Sequence, residues 1–331
     1  MEQRTLGRTG LKVSALGFGC GAVGGLMVNG TPADQERAVA WAIDQGITYF
    51  DTAAQYGDGK SETNLGRVLK AIKAPRDKTL VGTKVRVFPA DRGRIGAAIV
   101  EAMDASLQRL GMDSVDLFQL HNAITGAGAS PDLTVDTVLN EVVPALEKLR
   151  QQGKTRFIGM TALGDTAALF KIIATGAMDT AQIPHNLLNP SPMYPLPDGY
   201  PAQDYQQLMP AAAAAGIGVI GIRVLAGGAL SGTETRHPLG MQSVEPIGSS
   251  SSYAKDAANA RWLEPLVREG FAVSIIEAAI RFAISNDAMS TVLIGLSTQS
   301  ELEQATGAIN KGRLSDAALA RVAQLQAGFT A

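Results

Sequence analysis

The residues that hold metals and staple small folds are scarce in this sequence. Its 331 residues include one cysteine, Cys20, and three histidines. A single cysteine excludes an internal disulfide framework and suits a reducing, cytoplasmic location. No H-x-H or C-x-x-C spacing occurs, so neither a structural nor a catalytic zinc is expected. No apolar run approaches the roughly 18 residues needed to span a bilayer. The opening "MEQRTLGRTG" carries charge and glycine where a signal peptide needs an apolar stretch. Charged residues are 18% of the chain and the net charge is −2, so no one-signed field draws nucleic acid or a membrane surface. The partner left by these absences is a small molecule. Nothing in the sequence specifies an oligomeric state.

What the sequence does hold is apolar and periodic. Hydrophobic residues make up 46%, enough for a large core. Eight β-like runs alternate with helical segments: 13–19, 47–51, 79–84, 115–121, 155–160, 179–186, 218–224 and 290–295. Their near-continuous apolar character is that of parallel strands buried on both faces. Between them, "PADQERAVAWAIDQG" has Pro32 near a helix start and Gly46 as its stop. "RGRIGAAIVEAMDASLQRLG" repeats Ile95, Ile99, Met103 and Leu107 at i, i+4 spacing, and Pro144 is a kink point in a third helix. Eight βα units point to an α/β fold, a (β/α)8 TIM barrel in one domain over 1–331. Two short β-like pieces flank "GRTG" before the first strand and read as a hairpin capping the N-terminal end of the barrel. After the seventh strand, residues 226–253 are rich in Gly, Ser and Pro and read as a long loop above the C-terminal face. A substrate lid and simple disorder are both open for it.

Active sites in this architecture use the C-terminal ends of the strands. Those ends carry Asp51, Lys84 and His121 on three consecutive strands, with Tyr56 on the loop after Asp51. Further round, Thr161 follows the fifth strand, and Gln182 and Asn186 lie on the sixth. A free phenol has a pKa of about 10. A neighbouring ammonium such as Lys84 lowers it, and Asp51 keeps that lysine protonated. His121 can donate a hydrogen bond to the substrate oxygen or to the phenol. The set suits a general acid that protonates a carbonyl as its carbon gains hydride from a cofactor. Taken singly, each residue has a plainer reading: a helix cap for the Asp, a loop anchor for the Tyr, a Schiff-base nucleophile of an aldolase for the Lys, a structural His. Four at three adjacent strand ends favour the catalytic one.

"GCGAVG", Gly19 to Gly24, matches G-x-G-x-x-G after a strand, but no helix opens within it as a dinucleotide fold requires. These glycines read as a loop above the barrel. Gly21 and Cys20 are placed near the substrate, the cysteine as a small filler rather than a nucleophile.

With these residues in place, the sequence resembles the aldo-keto reductase superfamily over nearly its whole length. "FDTAAQYGDGKSETNLG" is similar to the pattern D-T-A-x-x-Y-G-x-G-x-S-E-x-x-L-G, and "LGRTGLKVSALGFG" to the family's hairpin and first strand. The resemblance implies a (β/α)8 barrel using NAD(P)H without a Rossmann fold, and a catalytic tetrad at Asp51, Tyr56, Lys84 and His121. It also implies that Asp51, Thr161 and Gln182 lie near the nicotinamide end of the cofactor. Ala162 stands where the family has an amide, and Ile222 where it has a stacking aromatic. The backbone of Arg223, Val224 and Leu225 is implied to wrap the pyrophosphate, with Gly227 following. Gly295, Ser297, Glu301 and Ala305 occupy the adenosine end. No basic residue stands there for a 2′-phosphate, and Glu301 suits a free ribose hydroxyl, so NAD(H) is favoured over NADP(H). "VLAGGALSG" is similar to the aldose dehydrogenase branch, with its L-galactose, L-fucose and pyridoxal dehydrogenases. That implies a carbonyl or sugar substrate, oxidised to a lactone in the cyclic case. A cofactor-binding regulatory subunit, like the potassium-channel β subunits of the same superfamily, is the alternative outside enzymology.

Overall fold

The computed structural model of the chain describes residues 1–129, 131–246 and 252–329. It begins with an antiparallel hairpin, β1 (Gln3–Thr5) and β2 (Lys12–Ser14), turned by a 3-10 segment at Gly7–Thr9. Eight parallel strands follow: β3 (Leu16–Gly19), β4 (Tyr49–Asp51), β5 (Leu80–Val85), β6 (Val115–Leu120), β7 (Thr155–Thr161), β8 (Thr180–Pro184), β9 (Gly218–Ile222) and β10 (Met289–Gly295). Each pairs with its sequence neighbour, and β10 closes on β3, making a barrel ringed by helices. The first strand expected from sequence, 13–19, divides at Ala15. Val13 and Ser14 belong to the hairpin and only Leu16–Gly19 to the barrel.

Alternation along the strands sorts the core into two layers. On β4, Phe50 points outward among the buried residues that face the helices, while Tyr49 and Asp51 point in. Leu80, Gly82 and Lys84 share the inner face of β5, and Leu117 and Gln119 that of β6. The lower interior is apolar: Leu6, Leu11 and Val13 of the hairpin meet Tyr49, Leu80, Leu117, Ile220 and Leu293 in one buried cluster. The hairpin therefore plugs the N-terminal end of the barrel, as its position in the sequence implied. Gly82 makes this packing possible, since a Cβ there would collide with the Tyr49 ring.

The helices begin and end at recognisable signals. Thr31 caps Pro32–Asp44 by accepting from the Asp34 N–H, and Gly111 ends Ile95–Leu110 in the left-handed conformation. At Pro144 the kink takes a definite form. Proline has no N–H for the carbonyl of Asn140 and crowds it, and the chain runs as a π-turn over Val138–Val142 before the helix Val143–Gln151. Of the long loop at 226–253, residues 247–251 lie outside the described residues. The remainder starts as a 3-10 segment, Ala226–Ser231, and ends in the helix Tyr253–Arg261.

Candidate active site

Strand parity brings Asp51, Lys84 and His121 to the inner rim at the C-terminal end, and the loop after β4 carries Tyr56 over them. Lys84 Nζ lies 3.1 Å from Tyr56 Oη, ion-pairs with Asp51 Oδ1 and donates to the Thr52 carbonyl at 2.8 Å. The imidazole of His121 stands edge-on to the Tyr56 ring, centroids 5.7 Å apart, with Nδ1 3.2 Å from Gln55 Oε1. Beneath them is a floor of which sequence reasoning named only Gln182, and that for the cofactor. Asp51 Oδ2 accepts from Tyr49 Oη at 2.7 Å, Gln182 Nε2 at 2.6 Å and Gln119 Nε2 at 3.4 Å. A buried carboxylate with this many donors keeps its charge and its position. Parity was the available signal: Tyr49 stands two residues before Asp51, and Gln119 two before His121.

Burial dominates the protonation states. Lys84 is fully buried, which pulls its pKa down, but Asp51 and Tyr56 outweigh this and leave it above its ordinary value. For Tyr56 burial pushes up, the Lys84 ammonium pulls down and Asp51 pushes up; the net direction is up. This corrects the expected lowering of the phenol: in this structure Tyr56 is a neutral phenol at physiological pH. His121 is driven down to about 3 by burial, Lys84 and Arg86, so its ring is neutral. Neutral imidazole donates from one nitrogen only.

Above this group opens a cleft of about 600 Å³, within the range of small-molecule sites. Its wall includes Asp51, Tyr56, His121 and, running away from them, Thr161, Gln182, Ile222, Arg223, Val224, Leu225, Gly227, Gly295, Ser297 and Glu301. All the residues expected at a cofactor are thus on one surface. Gln182 turns its amide NH2 onto Asp51 rather than into the open space. Thr161 Oγ1 is buried with no hydrogen-bond partner among the described residues. Glu301 accepts from the Ser297 N–H at 2.6 Å, and Ser297 Oγ donates to the Gly24 carbonyl at 2.7 Å. Ala305 joins the same wall.

Two expectations near the first strand are revised. Gly21 lines the cleft, but Cys20 does not. Its side chain is buried in the core between barrel and helices, as parity beyond the inward Gly19 implies, and burial pushes its thiol pKa far up. The glycine run holds no dinucleotide turn; it packs across the end of β10, and a Cβ on Gly24 would strike the Leu296 backbone.

The loop after β9, which the sequence placed above the C-terminal face as either a lid or disorder, crosses to this glycine run in its described part. Asn29 Nδ2 donates to the Leu239 carbonyl at 2.7 Å, and the Met241 N–H to the Ala22 carbonyl at 3.2 Å. Arg236 gives hydrogen bonds to the carbonyls of Gly227 (2.7 Å), Met241 and Val23 and lies over the Tyr253 ring.

A model of the aldo/keto reductase family matches residues 15–327. The chain is 30% identical over 316 residues to L-galactose dehydrogenase of Arabidopsis thaliana, covering 94% of this chain and 89% of that one. It is 27% identical to L-glyceraldehyde 3-phosphate reductase of Escherichia coli K12 (98% and 92%) and 25% identical to a probable voltage-gated potassium channel subunit beta of Arabidopsis thaliana (94% and 92%). The holo form of an aldo-keto reductase of Bacillus halodurans has the same fold, with TM-score 0.73 and 24% identity over 100% of this chain and 98% of that one.

Proposed function

The chain belongs to the aldo/keto reductase family of NAD(P)-dependent oxidoreductases, and from that premise we propose that Tyr56 is its proton-transfer group, working on an aldehyde or aldose. The observation that carries this reading is the contact of Tyr56 Oη with Lys84 Nζ at 3.1 Å, at the floor of the cleft, with Lys84 in turn held by Asp51.

The cleft fits a nicotinamide dinucleotide. It is long, it carries the orphaned hydroxyl of Thr161 near the tetrad, and its far end presents Ser297 and Glu301. Thr161 and Gln182 would hold the nicotinamide end, the run from Ile222 through Gly227 the middle, and Gly295, Ser297 and Glu301 the adenosine end. The bound cofactor supplies or accepts the hydride. The chain's residues manage the proton. In reduction, Tyr56 gives its phenolic proton to the carbonyl oxygen as that oxygen gains negative charge, and the Lys84 ammonium stabilises the phenolate left behind. Oxidation is the reverse transfer and needs Tyr56 first to lose its proton, the phenolate so formed being stabilised by the Lys84 ammonium and taking the hydroxyl proton. His121, neutral and edge-on to Tyr56, orients the substrate oxygen by a hydrogen bond. Asp51 keeps Lys84 charged and fixed. This argues against an aldolase: a buried lysine held as ammonium has no lone pair for a Schiff base.

NAD(H) is the preferred cofactor in this reading. No Lys or Arg occurs from Gly295 to Ala305, and the Glu301 carboxylate would accept from a free ribose hydroxyl and repel a 2′-phosphate. The likeness to L-galactose dehydrogenase supports an aldose oxidised at its cyclic hemiacetal to a lactone. The whole of 1–331 acts as one barrel domain, in the cytoplasm. A panel of aldoses and aldehydes, run with NAD(H) and NADP(H) separately, tests all of this. Sugar oxidation with NAD is expected. Tight cofactor binding with no turnover would move the protein to the regulatory role of its channel-subunit relatives.

A further inference from the structure

The cleft contains a cation that the tetrad does not use. Arg223 follows the last residue of β9, in the wall that also carries Tyr56 and His121. Its backbone is held in the left-handed conformation, φ 59°, and its carbonyl is tied by Asn186 Nδ2 at 3.0 Å and the Ala226 N–H at 2.8 Å. A non-glycine residue in this conformation is uncommon, and such positions cluster at functional sites. The segment is thus fixed, yet the guanidinium at its centre makes no hydrogen bond or ion pair among the described residues. Largely buried charges are normally paired, because taking an ion out of water without a partner is costly. Burial lowers the pKa of Arg223, and the neighbours acting on its charge are the phenols Tyr205 and Tyr56, not a carboxylate.

The surrounding charges sharpen the point. Asp51 is the acid of the tetrad, and Lys84 neutralises it. Arg86 adds positive charge near His121, and its Nε is buried with no hydrogen-bond partner among the described residues. The remaining cation of the cleft wall is Arg236. It sits at the opposite end of the Arg223–Gly227 run, donating to the Gly227 and Val23 carbonyls. The two cations divide the cleft: Arg236 bonds the Gly227 end of the run, and Arg223, at its other end, shares the wall with Tyr56 and lies within reach of its electrostatic influence.

We propose that Arg223 is a substrate-anion residue: the molecule whose carbonyl meets Tyr56 and His121 also carries a carboxylate or phosphate that docks on this guanidinium. This rests on the Tyr56 reading above and narrows its substrate class to anionic aldehydes or sugars. Guanidinium presents a planar fork of donors that matches either anion in a bidentate way.

The test compares pairs of similar substrates, one neutral and one charged: butanal with succinate semialdehyde, and glyceraldehyde with glyceraldehyde 3-phosphate. The parent protein is expected to favour the charged member of one pair by kcat/KM, and that pair tells carboxylate from phosphate. In Arg223→Met the charged-to-neutral ratio is expected to fall by about 10- to 100-fold, the size of a lost charge-assisted hydrogen-bonded pair, mostly through KM, with Arg223→Lys in between. Using the ratio cancels any loss common to both substrates. A parent ratio near one in both pairs, or a ratio unchanged in Arg223→Met, overturns the proposal. So does a ratio unchanged alongside a tenfold weaker NAD(H) dissociation constant, which would assign Arg223 to the cofactor's phosphates. Calorimetric titration of the NAD-loaded protein, in which the cofactor's own phosphates already fill their places, with succinate, glycerol 3-phosphate and glycerol reads the site without turnover. Anion binding lost in Arg223→Met supports the proposal even if Tyr56 proves not to be the proton donor. No anion binding by the parent overturns it even if Tyr56 is.

Discussion

The two ends of the barrel are built from the same eight strands and are chemically opposite. At the N-terminal end, Leu6, Leu11 and Val13 of the hairpin close over Tyr49, Leu80, Leu117, Ile220 and Leu293, and this interior is apolar and filled. At the C-terminal end, one strand step further along, the inward positions are Asp51, Lys84, His121, Thr161 and Gln182. Tyr49 joins the two, its ring in the apolar plug and its hydroxyl on Asp51. Buried hydroxyls with no partner among the described residues occur at both ends, Thr180 and Thr291 on inward strand positions below and Thr161 above. Only Thr161 borders the cleft, whose wall also carries the Arg223 guanidinium, unpaired among the described residues. The lesson is a division of labour: packing below makes it tolerable to hold buried charge and open hydrogen-bonding capacity above.

The sharpest way to break this contrast is to change each end alone. Tyr56→Phe removes one oxygen from the upper end and should lower turnover by about 10³- to 10⁴-fold, the upper range of general acid catalysis. Thermal stability should hold to within a few degrees, since Lys84 loses one acceptor but keeps Asp51 and the Thr52 carbonyl. A variant that keeps more than a tenth of parental turnover would remove Tyr56 from the mechanism.

A second test uses a polar group at the upper end that faces no cleft. His185, just beyond β8, is fully buried, stacked on Phe282 with centroids 4.9 Å apart, and has no hydrogen-bond partner on either nitrogen among the described residues. Burial drives its pKa to about 3. The unfolded chain binds this proton near pH 6.5 and the folded one does not until about pH 3. Stability is therefore constant above 6.5 and falls as the pH drops through that window, by up to ~5 kcal/mol from this group. His121 adds to the same slope, its folded pKa also being about 3. His185→Phe should flatten the acid limb of a urea-unfolding series between pH 6.5 and 4 while leaving Tyr56 chemistry in place. An identical slope in the variant would mean that His185 is solvated or partnered.

The lower end gives the mirror experiment. Leu6 is fully buried against Gly218 and its neighbours. Leu6→Ala should cost about 2–4 kcal/mol of stability and leave kcat of the folded enzyme within about twofold, since Leu6 touches nothing at the upper rim. A large loss of kcat with little loss of stability would invert the assignment of the two ends.

How much of this was legible beforehand depended on which physical signal each part leaves in a single chain. The strands were, because parallel strands buried on both faces are apolar runs bounded by turns. The fault at 13–19 arose where hairpin and barrel strands abut, as Ala15 carries no turn signal. Asp51, Lys84 and His121 were legible because a barrel has a rule for where working residues stand. Tyr49 and Gln119 follow from the same parity but look like ordinary strand residues until Asp51 needs donors. The direction of the Tyr56 shift was misread for a different reason: sequence shows that a lysine is near, but not how deeply the phenol is buried. The contact of the 232–246 loop with the glycine run was invisible, since two irregular segments share no periodicity.

The smallest expected effect sits at the far end of the cleft, the part proposed above to meet the adenosine end of the cofactor. Glu301 caps the Ser297 N–H with Oε2, and glutamine can accept the same hydrogen bond through its carbonyl oxygen. Glu301→Gln therefore keeps the local fold and removes one negative charge from the surface assigned to the adenosine ribose. A 2′-phosphate meets repulsion from Glu301, whereas a free hydroxyl can donate to it. The ratio of NADPH to NADH dissociation constants should fall by about tenfold, ~1.4 kcal/mol, and the fall should shrink at high salt as a screened charge effect. Measuring both cofactors by fluorescence at low and high salt separates this from general damage, which would weaken both equally. A parent that already binds NADPH more tightly than NADH would reverse the assignment, and the selectivity would then have to come from outside the Gly295–Ala305 stretch.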